Sequence, residues 1–273
     1  MAFEYPGNGA LDYYPCRYGE SRLMFRGPRR LLERDYIAAF GGSETYGRFV
    51  LDPWPGRLEA ALDLPVVNFG CLNAGADTFV QEEVLARFGR GARLSVVQLV
   101  GAANLSNSFY YVHPRRNDRF LTETARMRDL FPDVDFTEFT FTRHMLGVLR
   151  AHDPTAFAVL EAELQSVWTR QIARFVGRLG DRVVLLWIDA PRDNLLGGEP
   201  VLVTPAMIAE VARHATMLVR VVPSAGALSE GTDGMHFAAM EAPAAAAMPG
   251  PRLHDEIAAA LLPAVRDLLG RAD

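Results

Sequence analysis

A chain of 273 residues with 49% hydrophobic and 22% charged side chains has the makeup of a globular protein able to bury a sizeable core. Its formal net charge of −5 excludes bulk attraction to nucleic acid or to an anionic membrane. Every basic side chain outside the histidines is Arg, since the chain contains no lysine; any basic cluster is therefore a fork-shaped, always-charged candidate for gripping an oxyanion.

In chain order, residues 1 to about 34 form an Arg- and Tyr-rich arm with little periodicity. The start "MAFEYPGNGALDYY" lacks the basic residues and apolar run of a signal peptide, and no apolar stretch is long enough to span a bilayer. The expected location is cytoplasmic. The apolar runs Tyr36–Phe40, Leu64–Phe69, Leu94–Val100 and Arg182–Ile188, with a weaker fifth at Met217–Val222, read as strands. Their hydrophobicity is continuous rather than alternating, which predicts a parallel sheet covered on both faces. Helical patterns lie between them. "PWPGRLEAAL" follows the first strand. "DTFVQEEVLARFG" follows the second, with Asp77 as expected N-cap. A long amphipathic pattern from Thr155 precedes the fourth. "TPAMIAEVARHA" precedes the fifth, with Thr204 as N-cap and Pro205 at the first helical position, and "HDEIAAALLPAVRDLLGR" closes the chain. Residues from about 105 to 153 interrupt this alternation and are expected to form a helical insert or lid after the third strand. "EAPAAAAMPGP" reads as a loop with a short Ala-rich turn. No linker divides the chain, so residues 1–273 are expected to form one doubly wound α/β domain.

Ligands of open parallel sheets collect at the carboxyl ends of the strands. Gly41-Gly42-Ser43 follows the first strand; Gly70, Asn73 and Gly75 follow the second; Gly101, Asn104 and Asn107 follow the third; Asp233 and His236 follow the fifth. These are residue types that acyl transfer needs, and Asn73 and Asn107 are candidate substrate-binding residues. A serine hydroxyl becomes a competent nucleophile when a base takes its proton. His236 is a candidate base and Asp233 a candidate orienting carboxylate. Ser43 N–H, Gly70 N–H and the Asn104 amide are candidate donors to an oxyanion. A plainer reading makes Ser43 a helix N-cap.

The order and spacing of "GGSETYGRFVLDPWPGRLEAALDLPVVNFGCLNAG", with "GAANLSN" and "TDGMHF" further on, resemble the SGNH (GDSL-type) hydrolases, across Tyr36 to about Asn104 and again from about Gly231 to the end. The resemblance implies a three-layer α/β/α, flavodoxin-like fold with a central five-stranded parallel sheet. It also implies a serine esterase or acylhydrolase that cleaves an O-acyl ester, such as an acetyl group on a carbohydrate, with Ser43, His236 and Asp233 as the triad and no cofactor. Three departures stand out. Gly42 replaces the Asp usual before the serine. The third block, Gly101-Ala-Ala-Asn104, is one residue longer and lacks its Asp, which leaves Asn107 as an alternative amide. His236 lies well upstream of the last helix, where His254 is an alternative base. A catalytically silent binding module, or an acyltransferase with the same triad, remains open.

"YYVHPRRNDRF" sets His113, Arg115 and Arg116 among aromatics, either as a clamp for an anionic substrate group or as a loop paired to the acidic "FPDVDFTEF". Cys16 and Cys71 have neither disulfide nor metal-ligand spacing, no metal site is expected, and Cys71 reads as a small hydrophobe. The expected partner is a small-molecule or glycan ester, with no nucleic acid and no membrane; the oligomeric state is not set by the sequence.

Overall fold

The computed structural model describes residues 9–191 and 195–271; residues 1–8, which belong to the expected arm, lie outside the described residues. The strands are β1 (Ile37–Gly41), β2 (Val66–Gly70), β3 (Leu94–Gln98), β4 (Tyr110–His113), β5 (Arg116–Glu123), β6 (Val183–Ile188) and β7 (Met217–Val221). The helices are α1 (Ser43–Tyr46), α2 (Trp54–Leu62), α3 (Ala76–Gln81), α4 (Glu83–Gly91), α5 (Ala125–Leu130), α6 (Thr142–His152), α7 (Pro154–Val176), α8 (Pro205–Ala212), α9 (Ala225–Ser229), α10 (Ala242–Ala246) and α11 (Pro251–Gly270).

Five strands form one parallel sheet in the order β2-β1-β3-β6-β7. This is the flavodoxin-like order, and the chain reverses its winding between β1 and β3. Successive strand residues point to opposite faces. Ala38 and Phe40 of β1, with Val183 and Leu185 of β6, join a core that includes Phe79, Trp168, Phe175 and Val211 from α3, α7 and α8. Ile37 and Ala39, with Val184, Leu186 and Ile188, meet Trp54, Leu58, Ile257 and Leu261 from α2 and α11 on the other face. Both faces of β1, β2, β3 and β6 are largely dry, which is why those strands read as unbroken apolar runs, whereas the edge strand β7 alternates between exposed and more buried residues.

The helix starts follow local chemistry. Asp153 accepts from the N–H groups of Thr155 and Ala156 ahead of Pro154, and Thr204 accepts from Met207 N–H ahead of Pro205. Two expectations are corrected. The pattern from Asp77 is two helices, broken at Glu82, and its first N-cap is Gly75. Asp77 is instead buried, and its Oδ2 accepts from Ser106 N–H at 2.8 Å, pinning the loop after β3. The insert is not wholly helical: β4 and β5 form an antiparallel hairpin before α5 and α6. Its two-residue turn holds Pro114 and Arg115, and Asn117 on β5 is buried.

Within the arm, Tyr18, Leu23 and Phe25 are buried in the same core as Phe69. Arg26 donates to the carbonyls of Tyr46, Gly47 and Leu51, clamping the segment after α1.

Candidate active site

A cleft of about 760 Å³ opens at the carboxyl ends of the parallel strands, beside the β1/β3 switch point. Ser43 lies on its floor, at the first position of α1, with 6% of its surface exposed. The side chain caps nothing: Gly42 is the N-cap, and Gly47, at φ 74°, ends the helix four residues later in the left-handed region. What holds the hydroxyl is Asn73. Its N–H donates to Ser43 Oγ at 2.9 Å, and Ser43 Oγ–H donates to Asn73 Oδ1 at 3.4 Å. Asn73 sits at φ 55°, a conformation that Asn tolerates better than most residues.

Three further groups frame the serine. Gln98, the buried last residue of β3, accepts through Oε1 from Gly42 N–H, Thr45 N–H and Thr45 Oγ1–H at 3.1, 3.2 and 2.6 Å. Its amide N–H donates to Glu44 Oε2 at 2.9 Å. Gln98 thus locks the β1–α1 turn where Gly42 has no side chain to do so. Asp118 of β5 accepts through Oδ2 from Asn73 Nδ2–H at 3.0 Å. Its other oxygen, Oδ1, is buried with no partner among the described residues, and partial burial pushes the carboxyl above the usual carboxylate range. Asn104 lines the cleft; its Oδ1 accepts from Thr142 Oγ1–H at 2.6 Å, and its Nδ2 reaches Asn73 O at 3.5 Å. The far wall carries the ion pair Arg143–Glu199 at 2.7 Å.

The structure gathers Ser43, Asn73 and Asn104 in the cleft and places the other expected residues elsewhere. Gly70 N–H already donates to Asn68 Oδ1 at 2.9 Å, so it is not a free oxyanion donor. Gly70 is glycine because a Cβ there would run into the backbone of Thr45 and Tyr46. Asn107 forms the turn into β4, accepting from Phe109 N–H and Tyr110 N–H, and does not line the cleft. Arg115 and Arg116 are exposed at the hairpin turn, outside the cleft lining, and have no ion pair among the described residues; His113 Nδ1 accepts from Arg115 N–H. Asp233 and His236 are exposed, and the His236 backbone N–H donates to Phe49 O at 2.8 Å. Cys71 is buried, which pushes its thiol up to about 12. Among the described residues no group of His, Cys, Asp and Glu could hold a metal ion.

His254 is corrected from alternative base to structural residue. It is 1% exposed, its Nδ1 accepts from Trp54 N–H at 3.2 Å, and burial, with Arg57 and Arg26 nearby, lowers its pKa from 6.5 to about 3. This has a measurable consequence. The folded chain keeps His254 neutral while the unfolded chain protonates it below about pH 6.5, so its contribution is intact above that pH and declines as pH falls towards 3. At pH 5 the loss is roughly 2 kcal/mol. His254→Asn keeps an acceptor near Trp54 N–H and does not titrate. Urea unfolding is expected to show the parent losing about 2 kcal/mol more than this variant between pH 7 and pH 5; equal losses would reject the assignment.

Asp118, Gln98 and Thr142 were not singled out by sequence reasoning. Gln98 left one visible signal, a polar residue at the end of the apolar run "LSVVQLV".

Fold and site define an α/β protein with a polar cleft at the carboxyl edge of a parallel sheet. Residues 1–269 match the family described as "Domain of unknown function (DUF6473)", and the chain belongs to that family. No curated protein matches it. Similar solved structures include two lipases. One is the lipase Lip_vut3 from goat rumen metagenome, at 14% identity and TM-score 0.40, covering 85% of this chain and 97% of that one. The other is the lipase/acylhydrolase from Enterococcus faecalis, at 15% identity and TM-score 0.38, covering 87% and 97%. Likeness this remote says nothing of this chain's chemistry. Among the described residues no helix is long and apolar enough to cross a membrane.

Proposed function

We propose that this chain is a serine esterase or acyltransferase of the SGNH type, acting on an O-acyl ester. The observation that carries the reading is the placement of Ser43: its hydroxyl stands on the floor of the cleft at a strand-to-helix turn, gripped by the Asn73 N–H. Ser43 Oγ attacks the acyl carbon while His236 takes its proton. The oxyanion is met by Ser43 N–H, which has no partner among the described residues, and by the Asn104 amide. His236 then protonates the departing alcohol, and water or a second alcohol accepts the acyl group.

His236 is supported by its position and by comparison with two other histidines that the sequence singles out. His254 is sealed in the core and His113 is bound into the hairpin turn. His236 follows Gly231, which lines the cleft, and its ring makes no hydrogen bond among the described residues. Gly231 and Gly234 both have positive φ, at 63° and 72°, on either side of Asp233. The proposal requires this segment to bring the imidazole to Ser43 when substrate binds, as catalytic contacts often tighten only in the complex. The Ser43–Asn73 hydrogen bonds favour a second reading, a silent ligand-binding module, since an amide takes no proton.

A fluorophosphonate probe separates the two. Peptide mass mapping after labelling is expected to find the adduct on Ser43. A protein that stays unlabelled from pH 6 to pH 9, while folded, supports the binding module instead.

A further inference from the structure

We propose that Asp118 is a positioning residue for Ser43, acting through Asn73. The inference rests on the reading of Ser43 as nucleophile and extends it to a residue from the insert. Asn73 touches the serine through two atoms, its N–H and its Oδ1. An amide presents oxygen or NH₂ to the same neighbour depending on a flip about one bond, and its partners decide which. Here the decision belongs to Asp118. Its Oδ2 takes the Asn73 Nδ2–H at 3.0 Å, which turns Oδ1 towards Ser43. With Asp118 removed, the amide is free to flip and offer NH₂ to the serine, and the hydroxyl loses its single orientation.

Two independent features support a role beyond packing. Asp118 Oδ1 has no donor among the described residues, so the carboxylate that lines the cleft keeps one acceptor uncommitted. The hairpin that carries Asp118 is also fixed against the site at several points. Asn117 Oδ1 accepts from Gly75 N–H, Thr78 N–H and Thr78 Oγ1–H at 3.0, 3.2 and 2.6 Å, and Thr142 Oγ1–H reaches Asp118 O as well as Asn104 Oδ1. The insert is thus a wall of the site with its carboxylate held in place.

The test is kinetic, with p-nitrophenyl acetate as ester and the fluorophosphonate labelling rate of Ser43 as second readout. Asp118→Ala is expected to lower kcat and the labelling rate about 10- to 100-fold with KM within about threefold, the scale of a misplaced reacting group. Asp118→Asn, which keeps an oxygen for the Asn73 amide, is expected to recover most of the loss. Asn73→Ala combined with Asp118→Ala is expected to be no worse than Asn73→Ala alone, because one residue acts through the other. Asp118→Ser, polar but too short to reach Asn73, stands in should the alanine variant fold poorly. An unchanged kcat, failure of Asp118→Asn to rescue, or multiplying effects in the double variant would overturn the proposal while labelled Ser43 leaves the hydrolase reading intact. An unaltered protein that does not label at Ser43 removes both.

Discussion

Replacing Ser43 by alanine is expected to lower ester turnover by roughly 10⁴-fold or more, with little change in KM. The nucleophile makes a bond in the transition state that substrate binding does not need, so the loss falls on kcat. The fold should survive: alanine leaves the Asn73 N–H without its acceptor, at a cost of about 1 kcal/mol. His236→Gln is expected to cost a similar factor, and the double variant to be no slower than either single, because nucleophile and base work as one unit. His254→Asn should keep kcat within a few-fold, since its imidazole faces Trp54 inside the core. Steady-state kinetics on purified variants checks all four. Full activity in Ser43→Ala would sink the proposed mechanism. Activity that depends on Ser43 but not on His236 would move the base to a carboxylate that lines the cleft, Glu44 or Asp118.

The sheet was legible because its cause is local and repetitive. Both faces of β1, β2, β3 and β6 are largely buried, so each is a run of apolar residues, while the weaker fifth run is the half-exposed edge strand β7; all five expected strands fall where these lie. Pro205 after Thr204 marked α8 in the same way. The insert was opaque. Its hairpin is amphipathic, with Tyr111 and Leu121 exposed, and it is held in place by residues far away in sequence, Gly75, Thr78 and Thr142, that no local pattern announces. In the site, Ser43 and Asn73 were both named from the strand ends, yet their contact with each other and with Asp118 was not legible. Asn73 and Asp118 are 45 residues apart, and no spacing rule joins them. In "YYVHPRRNDRF" Arg115 and Arg116 drew attention by their charge and lie exposed, while the neighbouring Asn117 and Asp118 bind the site. Charge pattern marks what water sees; the buried amide and carboxylate act through geometry that only the fold supplies.

Gly75→Ala is expected to be the most damaging single-methyl change near the cleft. Gly75 is extended, at φ −111°, so left-handed strain is not the reason for glycine. The reason is a backbone crossing: a Cβ would overlap the Asn104 carbonyl oxygen and stand 2.6 Å from its carbon and 3.0 Å from its Cβ. Those atoms are backbone or close to it, so no rotamer change relieves the clash, and the loops after β2 and β3 must separate. Separation pulls Gly75 N–H from Asn117 and moves Asn104 away from Asn73, breaking the junction that sets the floor of the site. Overpacking of this kind costs about 1–3 kcal/mol, and loss of the buried hydrogen bond adds about 1–3 kcal/mol more. Urea unfolding should therefore show roughly 2–6 kcal/mol of destabilisation, well beyond the scale of an ordinary surface change. Fluorophosphonate labelling of the fraction that remains folded should slow at least tenfold, because Asn104 no longer stands beside Ser43. A Gly75→Ala protein as stable and as reactive as the parent would mean that the two loops do not cross at this distance, and the placement of Asn104 as an oxyanion donor would fall with it.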